Sequence, residues 1–206
     1  ALVTAHLAHE FADSIIGAHM SLSVIPGVDR RSLPTESWTD DEKWKIERSK
    51  EAEDTIRSHI TTHLLDPQTL AFGLADSPVA TAAWIWERRR NWSDNTGDVE
   101  QSFTREHLCT TASLYWCTES IGSSLRLYHE HFKKPWPLAH NRLPRLEAPT
   151  GIAVFPKDVV HLPYSIIKEY TNLQHYTVMP EGGHFAAAEK PELATQDIQK
   201  LFRALR

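Results

Sequence analysis

Apolar positions change their spacing twice along the chain, and the changes divide it into three stretches. Leu2, Ala5, Leu7, Ala8 and Phe11 recur at helical spacing with His6, His9 and Glu10 on the other side, predicting a helix over 1–13. Ile15, Ile16 and Met20 predict a short buried strand within 14–22, and Pro26-Gly27 breaks it. Thr39 then caps a charged helix predicted over 40–57, whose acidic first turn suits the positive end of the helix dipole. Residues 66–132 carry helical patterning alone. A short helix is predicted over 68–74. A second begins at Asp76-Ser77-Pro78, with Asp76 or Ser77 as cap and Pro78 in the first turn, and runs to Arg88-Arg89-Arg90. A polar loop covers 91–97, a third helix opens at Thr104, and a fourth spans 119–132. Four prolines mark 133–149 as a connector. Beyond it the pattern alternates: strand 151–155, helix 163–170, strand 173–179, a turn at Gly182-Gly183, and an amphipathic helix over 191–205.

Strands separated by helices argue for an α/β protein with a parallel sheet. The helical block between the first and second strands is expected to form a lid over the carboxyl ends of the strands, where open α/β sheets bind ligands. The predicted division is core over 1–34, helical lid over 35–145, and core again over 146–206. The chain opens at Ala1, without methionine and already inside a helical pattern. Domains seldom begin in mid-element, so an upstream portion is expected.

Composition narrows the classes. A hydrophobic share of 41% and a charged share of 24% describe a globular protein. A net charge of −5 with mixed signs offers no basic footprint for nucleic acid. Apolar runs fall short of the ~20 residues a membrane span needs, and no leader-like opening is present. Cys109 and Cys117, eight residues apart, form neither a disulfide framework nor a CxxC metal motif. A reduced, cytoplasmic setting is therefore expected.

Two positions in the last third can carry chemistry together. His184 follows Gly182-Gly183 directly after a predicted strand, and Asp158 follows the preceding one. Adjacent parallel strands would bring the two loops to one end of the sheet. The carboxylate would there accept the imidazole Nδ1–H and stabilise the imidazolium. The weight against this is that most of the twelve histidines must serve surfaces and caps, and a Gly-Gly-His turn alone is weak. No Gly-x-Ser-x-Gly or Gly-x-Asp-x-Gly elbow occurs, and Gly122-Ser123-Ser124 lies in a helical pattern without the second glycine. His59 and His63 have i, i+4 spacing, but the Glu of the zinc protease motif is missing and no third ligand is evident, so no metal is expected. Trp84, Trp86, Tyr115 and Trp116 read as core or pocket wall rather than a nucleic-acid platform. Arg88 to Arg90 reads as a helix C-terminal charge run. Tyr128 is either packing or a phenol donor.

Several segments together resemble the microsomal-type epoxide hydrolases of the α/β-hydrolase superfamily. They are Asp66-Pro67-Gln68-Thr69-Leu70-Ala71-Phe72-Gly73-Leu74-Ala75-Asp76-Ser77-Pro78-Val79, Leu114-Tyr115-Trp116, Ser123-Ser124-Leu125-Arg126-Leu127-Tyr128, Pro149-Thr150-Gly151, and Gly182-Gly183-His184-Phe185-Ala186-Ala187. The resemblance implies the C-terminal part of an α/β-hydrolase fold with an inserted all-helical lid, starting just after the nucleophile elbow. It implies that an Asp attacks the epoxide to form an alkyl-enzyme ester, which a His–acid pair then hydrolyses to a vicinal diol. Carried over by position, His184 is the base, Asp158 the orienting acid and Tyr128 one of two lid tyrosines that donate to the epoxide oxygen. The second tyrosine's position is held by His59, a departure that puts donation there in question. His59, Trp116 and Phe185 are expected to line the substrate site. The implied partners are a small-molecule epoxide and the missing N-terminal half of the hydrolase; a homodimer is left open, since the sequence does not reveal the oligomeric state, and no cofactor is implied. The nucleophilic Asp, its elbow and the oxyanion loop would lie upstream of Ala1, so this chain by itself is expected to be inactive. The competing readings are another lidded hydrolase, an esterase or a haloalkane dehalogenase, and a non-catalytic remnant.

Overall fold

A computed structural model describes residues 1–206. By packing, the chain falls into two compact units, Ala1–Glu51 with Leu138–Arg206, and Ala52–Pro137. No helix is long and apolar enough to cross a membrane.

The first unit is built on a three-stranded parallel sheet of order β1-β2-β3, with β1 at Ala18–Met20, β2 at Leu146–Val154 and β3 at Thr171–Val178. Helix α1 (Leu2–Glu10) puts Ala5 and Ala8 against Met20, Ile152 and Val154 on one face of the sheet. Helix α9 (Pro191–Ala204) covers the other face, where Ala153 packs with Phe155, Met179 and Ala194. Helix α7 (Tyr164–Tyr170) connects β2 to β3. Residues 150 to 154 are buried throughout, as befits a central strand with helices on both sides.

Two strands depart from their expected limits. β1 is three residues long rather than nine, because Ala12–Ser14 forms a 3-10 turn and the strand pairs only with β2. β2 begins at Leu146, so Pro149, expected to close a connector, lies inside it. Proline cannot donate to a ladder and is tolerated in sheets at irregularities. The register between β2 and β3 shifts between Leu146 and Thr150, at the place where Pro149 sits.

The second unit is helical: most of α2 (Lys43–Leu65), then α3 (Pro67–Ala75), α4 (Pro78–Trp92), α5 (Arg105–Cys117) and α6 (Ile121–Lys133). α2 runs eight residues beyond its expected end at Arg57 and stops where Asp66 precedes Pro67, a position that disfavours helix. Ser77 caps α4, its hydroxyl accepting from the Ala80 N–H at 3.2 Å, and Thr104 does the same for His107 at 3.1 Å. Ala71, Leu74, Ile121 and Leu125 form the core between α3 and α6.

Candidate active site

The ends of β2 and β3 are joined past their last ladder bonds. The Met179 N–H donates to the Val154 carbonyl at 2.8 Å, and the Lys157 N–H to the Gly182 carbonyl at 3.0 Å. Lys157 and Gly183 thus form a parallel bridge outside the strands. The bridge carries the two loops side by side, and Asp158 and His184 are the next residues in each. Gly182 allows this path: its φ is +106°, and a Cβ there would lie 2.6 Å from Phe155 Cδ1.

His184 Nδ1 lies 2.8 Å from Asp158 Oδ1. Asp158 is 1% exposed, whereas the His184 side chain is 26% exposed. The carboxylate can only accept, so the imidazole proton resides on Nδ1 and the remaining nitrogen, Nε2, is the basic one. Oδ1 also accepts from the Val159 N–H at 2.6 Å, and the Asp158 N–H donates to the Phe155 carbonyl at 3.1 Å. Oδ2 is buried without a hydrogen-bond partner. Arg48 of α2 ties the loop down from below, donating to the carbonyls of Lys157 at 2.8 Å and Asp158 at 3.2 Å. His161 is buried close by, and desolvation pulls its pKa from 6.5 to about 4, against the pull of the Asp158 charge in the other direction.

Two features of this end escaped the sequence analysis. His161 is one. The other is Glu189, whose carboxylate accepts from the Gly183 N–H at 3.0 Å and the Phe185 N–H at 2.8 Å, one on each side of His184. A carboxyl residue four positions after Phe185, at the end of the short helix α8 (Ala186–Glu189), was the available signal. The Phe185 ring stands edge-on to the His184 ring at 5.1 Å.

Tyr128 and His59 belong to the second unit, with His59 Nε2 3.4 Å from the Tyr128 hydroxyl. His59 packs against His63 and Trp92, with ring centroids at 3.9 and 5.0 Å. His63 Nε2 accepts the Trp84 indole N–H at 3.2 Å. Burial, then the Arg88 charge, lowers the His63 pKa to about 4. Tyr128 is 39% exposed, and its phenol pKa is raised by partial desolvation and by Tyr115. It therefore remains a protonated donor through neutral pH. Trp116 stands apart from this pair: it lines a groove of about 440 Å³ with Val79, Ala83, Trp86, Cys109 and Ala112.

Chemically, the Asp158–His184 pair can take a proton from a polarised water or hydroxyl. No protein-family profile matches the chain. It is similar to a Stigmatella aurantiaca protein whose epoxide hydrolase name is itself provisional, at 31% identity over 99% of this chain and 45% of that one. It is similar also to pig epoxide hydrolase 1, at 38% identity over 68% of this chain and 32% of that one. Among solved structures, the juvenile hormone epoxide hydrolase of the silkworm Bombyx mori superposes on all of this chain and 52% of its own, with a TM-score of 0.82 and 26% identity. The chain spans half or less of the sequence relatives it matches.

Proposed function

Because this chain is homologous to the C-terminal half of epoxide hydrolases with the α/β-hydrolase fold, we propose that it carries the water-activating half of an epoxide hydrolase. The reading rests on one observation above the others: the 2.8 Å contact between His184 Nδ1 and buried Asp158, held where two parallel strands end. In the proposed reaction a carboxylate attacks an epoxide carbon, the C–O bond breaks, and an alkyl-enzyme ester forms. Tyr128 is assigned the donation of a proton to the leaving oxygen, on the resemblance alone. His184 Nε2 then removes a proton from water, and the hydroxide adds to the ester carbonyl. Collapse expels the second diol oxygen, which takes the imidazolium's proton. The carboxyl group left behind loses its proton to solvent, from which the Tyr128 phenolate regains one, so that diol leaves and carboxylate, imidazole and phenol are restored. Asp158 stabilises the imidazolium that forms in between. The attacking carboxylate is assigned to the part of the relatives that these residues do not span, since no Gly-x-Asp-x-Gly elbow occurs among the 206 residues.

The assay is diol formation from an aryl epoxide such as styrene oxide, by the protein carrying these residues, with intact-mass analysis alongside. His184→Gln is expected to accumulate a covalent adduct of substrate mass while turnover falls by about 10³-fold or more, since the base serves only the second step. Absence of both diol in the parent and adduct in the variant would sink the proposal. Tyr128→Phe is expected to slow adduct formation itself by about 10²-fold, the loss usual for one oxyanion-type donor. An unchanged rate would remove Tyr128 from the mechanism.

A further inference from the structure

Resting on that reading, we propose that Glu189 is a positioning residue for the base: its carboxylate sets the backbone that aims His184 at Asp158. The two N–H groups it accepts belong to Gly183 and Phe185, the immediate neighbours of His184. A helix-capping role explains only part of this. Capping would satisfy the Phe185 N–H, which opens the four-residue helix α8. It would not account for the second oxygen, which reaches past His184 to the Gly183 N–H outside the helix. The Phe185 N–H belongs to the peptide plane that follows His184, and the Gly183 N–H to the plane one residue ahead of the His184 amide. One carboxylate thus restrains the backbone on both sides of the residue and narrows the direction of its Cα–Cβ bond.

The opposite side of the loop is pinned at the strand ends, by the Lys157–Gly182 bond and the Lys157–Gly183 bridge beside His184. Gly182 itself sits at a positive φ that gives the loop a sharp entry. Glu189 therefore adds, from the α8 side, a restraint on the backbone around His184 that the strand ends do not supply. Its loss would leave Asp158 in place, since Asp158 is held by Val159, Phe155 and Arg48, while the His184 side of the contact loosens.

The test uses Glu189→Ala, Glu189→Gln and, as a control, Asp158→Asn, in the protein carrying these residues. The first readout needs no activity: the downfield proton NMR signal of the His184 Nδ1–H in its bond to Asp158. It is expected in the parent, lost in Asp158→Asn, broadened or lost in Glu189→Ala, and partly retained in Glu189→Gln, which keeps one carbonyl acceptor. The second readout is kinetic. Glu189→Ala is expected to lower kcat by about 10²-fold, the scale of a ~1 Å misplacement, with KM little changed and the covalent adduct still formed at the parent rate. Glu189→Gln, close in size and shape, should recover part of kcat. An unaltered Nδ1–H signal and kcat in Glu189→Ala would overturn the proposal. So would an equal loss of adduct formation and turnover in both variants, which would mark Glu189 as scaffold only. If the parent forms no diol, the NMR arm still decides Glu189 while the functional reading fails separately.

Discussion

The two oxygens of Asp158 have unequal surroundings. Oδ1 receives the His184 and Val159 donors, and Oδ2 is buried with none. A buried carboxylate left half-satisfied is costly, and such cost is commonly found where a charge serves chemistry rather than stability. Asp158→Asn is accordingly expected to lower kcat for diol formation by about 10²–10⁴-fold while leaving the fold intact. A melting temperature within a few degrees of the parent, together with the lost turnover, would establish that division; retained turnover would refute it. Gly182→Ala tests the loop from the other side. The φ of +106° and the 2.6 Å approach to Phe155 both oppose a Cβ. The substitution should destabilise the first unit by about 1–3 kcal/mol in urea titrations.

At the scale of elements, α2 and α9 show how buried polar groups assemble the molecule. α2 buries Lys45, Ser49, Ala52, His59 and His63, a stripe at helical spacing that is mostly polar. Lys45 pairs with Glu42 and donates to the Tyr176 hydroxyl at 2.9 Å, and Glu42 accepts from the Tyr164 N–H at 2.9 Å. Burial drives the Glu42 pKa up, but the Lys45 and Tyr164 contacts outweigh it, and the carboxyl ends below its ordinary value. On α9, Asp197 accepts from His19 Nε2 of β1 at 2.8 Å and His175 Nε2 of β3 at 2.7 Å. These two histidines pair across Gly151 in β2, whose missing side chain makes room: a Cβ there would meet Leu201 at 2.8 Å. Asp197 thus fastens one helix to both outer strands. Asp197→Asn keeps the shape and loses the charge, and should cost about 1–3 kcal/mol of unfolding free energy. An unchanged urea midpoint would show the clasp to be incidental.

Over the whole molecule, acid should weaken the fold before its carboxylates titrate. His161 and His63 have folded pKa values of about 4 against an ordinary 6.5. The unfolded chain therefore binds protons that the folded chain refuses, and stability falls as pH drops from 6.5 towards 4. Above 6.5 the contribution of these groups is fully present; below 4 their decline ends. Glu42 and Asp197, with pKa values held below 4.5 and 3.8, add to the loss only at lower pH. Urea midpoints are expected to decrease between pH 7 and pH 4.5. A flat profile there would contradict burial of neutral imidazoles. Substituting His161 by Phe should flatten the curve for the first unit alone.

Local pattern determined the elements whose signals are carried by neighbours in sequence: the Ser77-Pro78 and Thr104 helix starts, the Asp66-Pro67 stop, and the β–α–β–α order that implied a parallel sheet. It also singled out Asp158 and His184, because strand ends and glycine turns leave marks in sequence. Tertiary structure decided what depends on partners far along the chain. The full length of α2 rests on a polar buried stripe, which hydrophobic spacing cannot register. The start of β2 rests on the pairing of Leu146 with Thr171 of β3, which tolerates Pro149 at a register shift. Glu189 and Asp197 owe their places to donors that converge only after folding, and a carboxylate's acceptors are unspecified until its neighbours arrive. Periodicity reports which side of an element is apolar; it does not report which polar groups will meet.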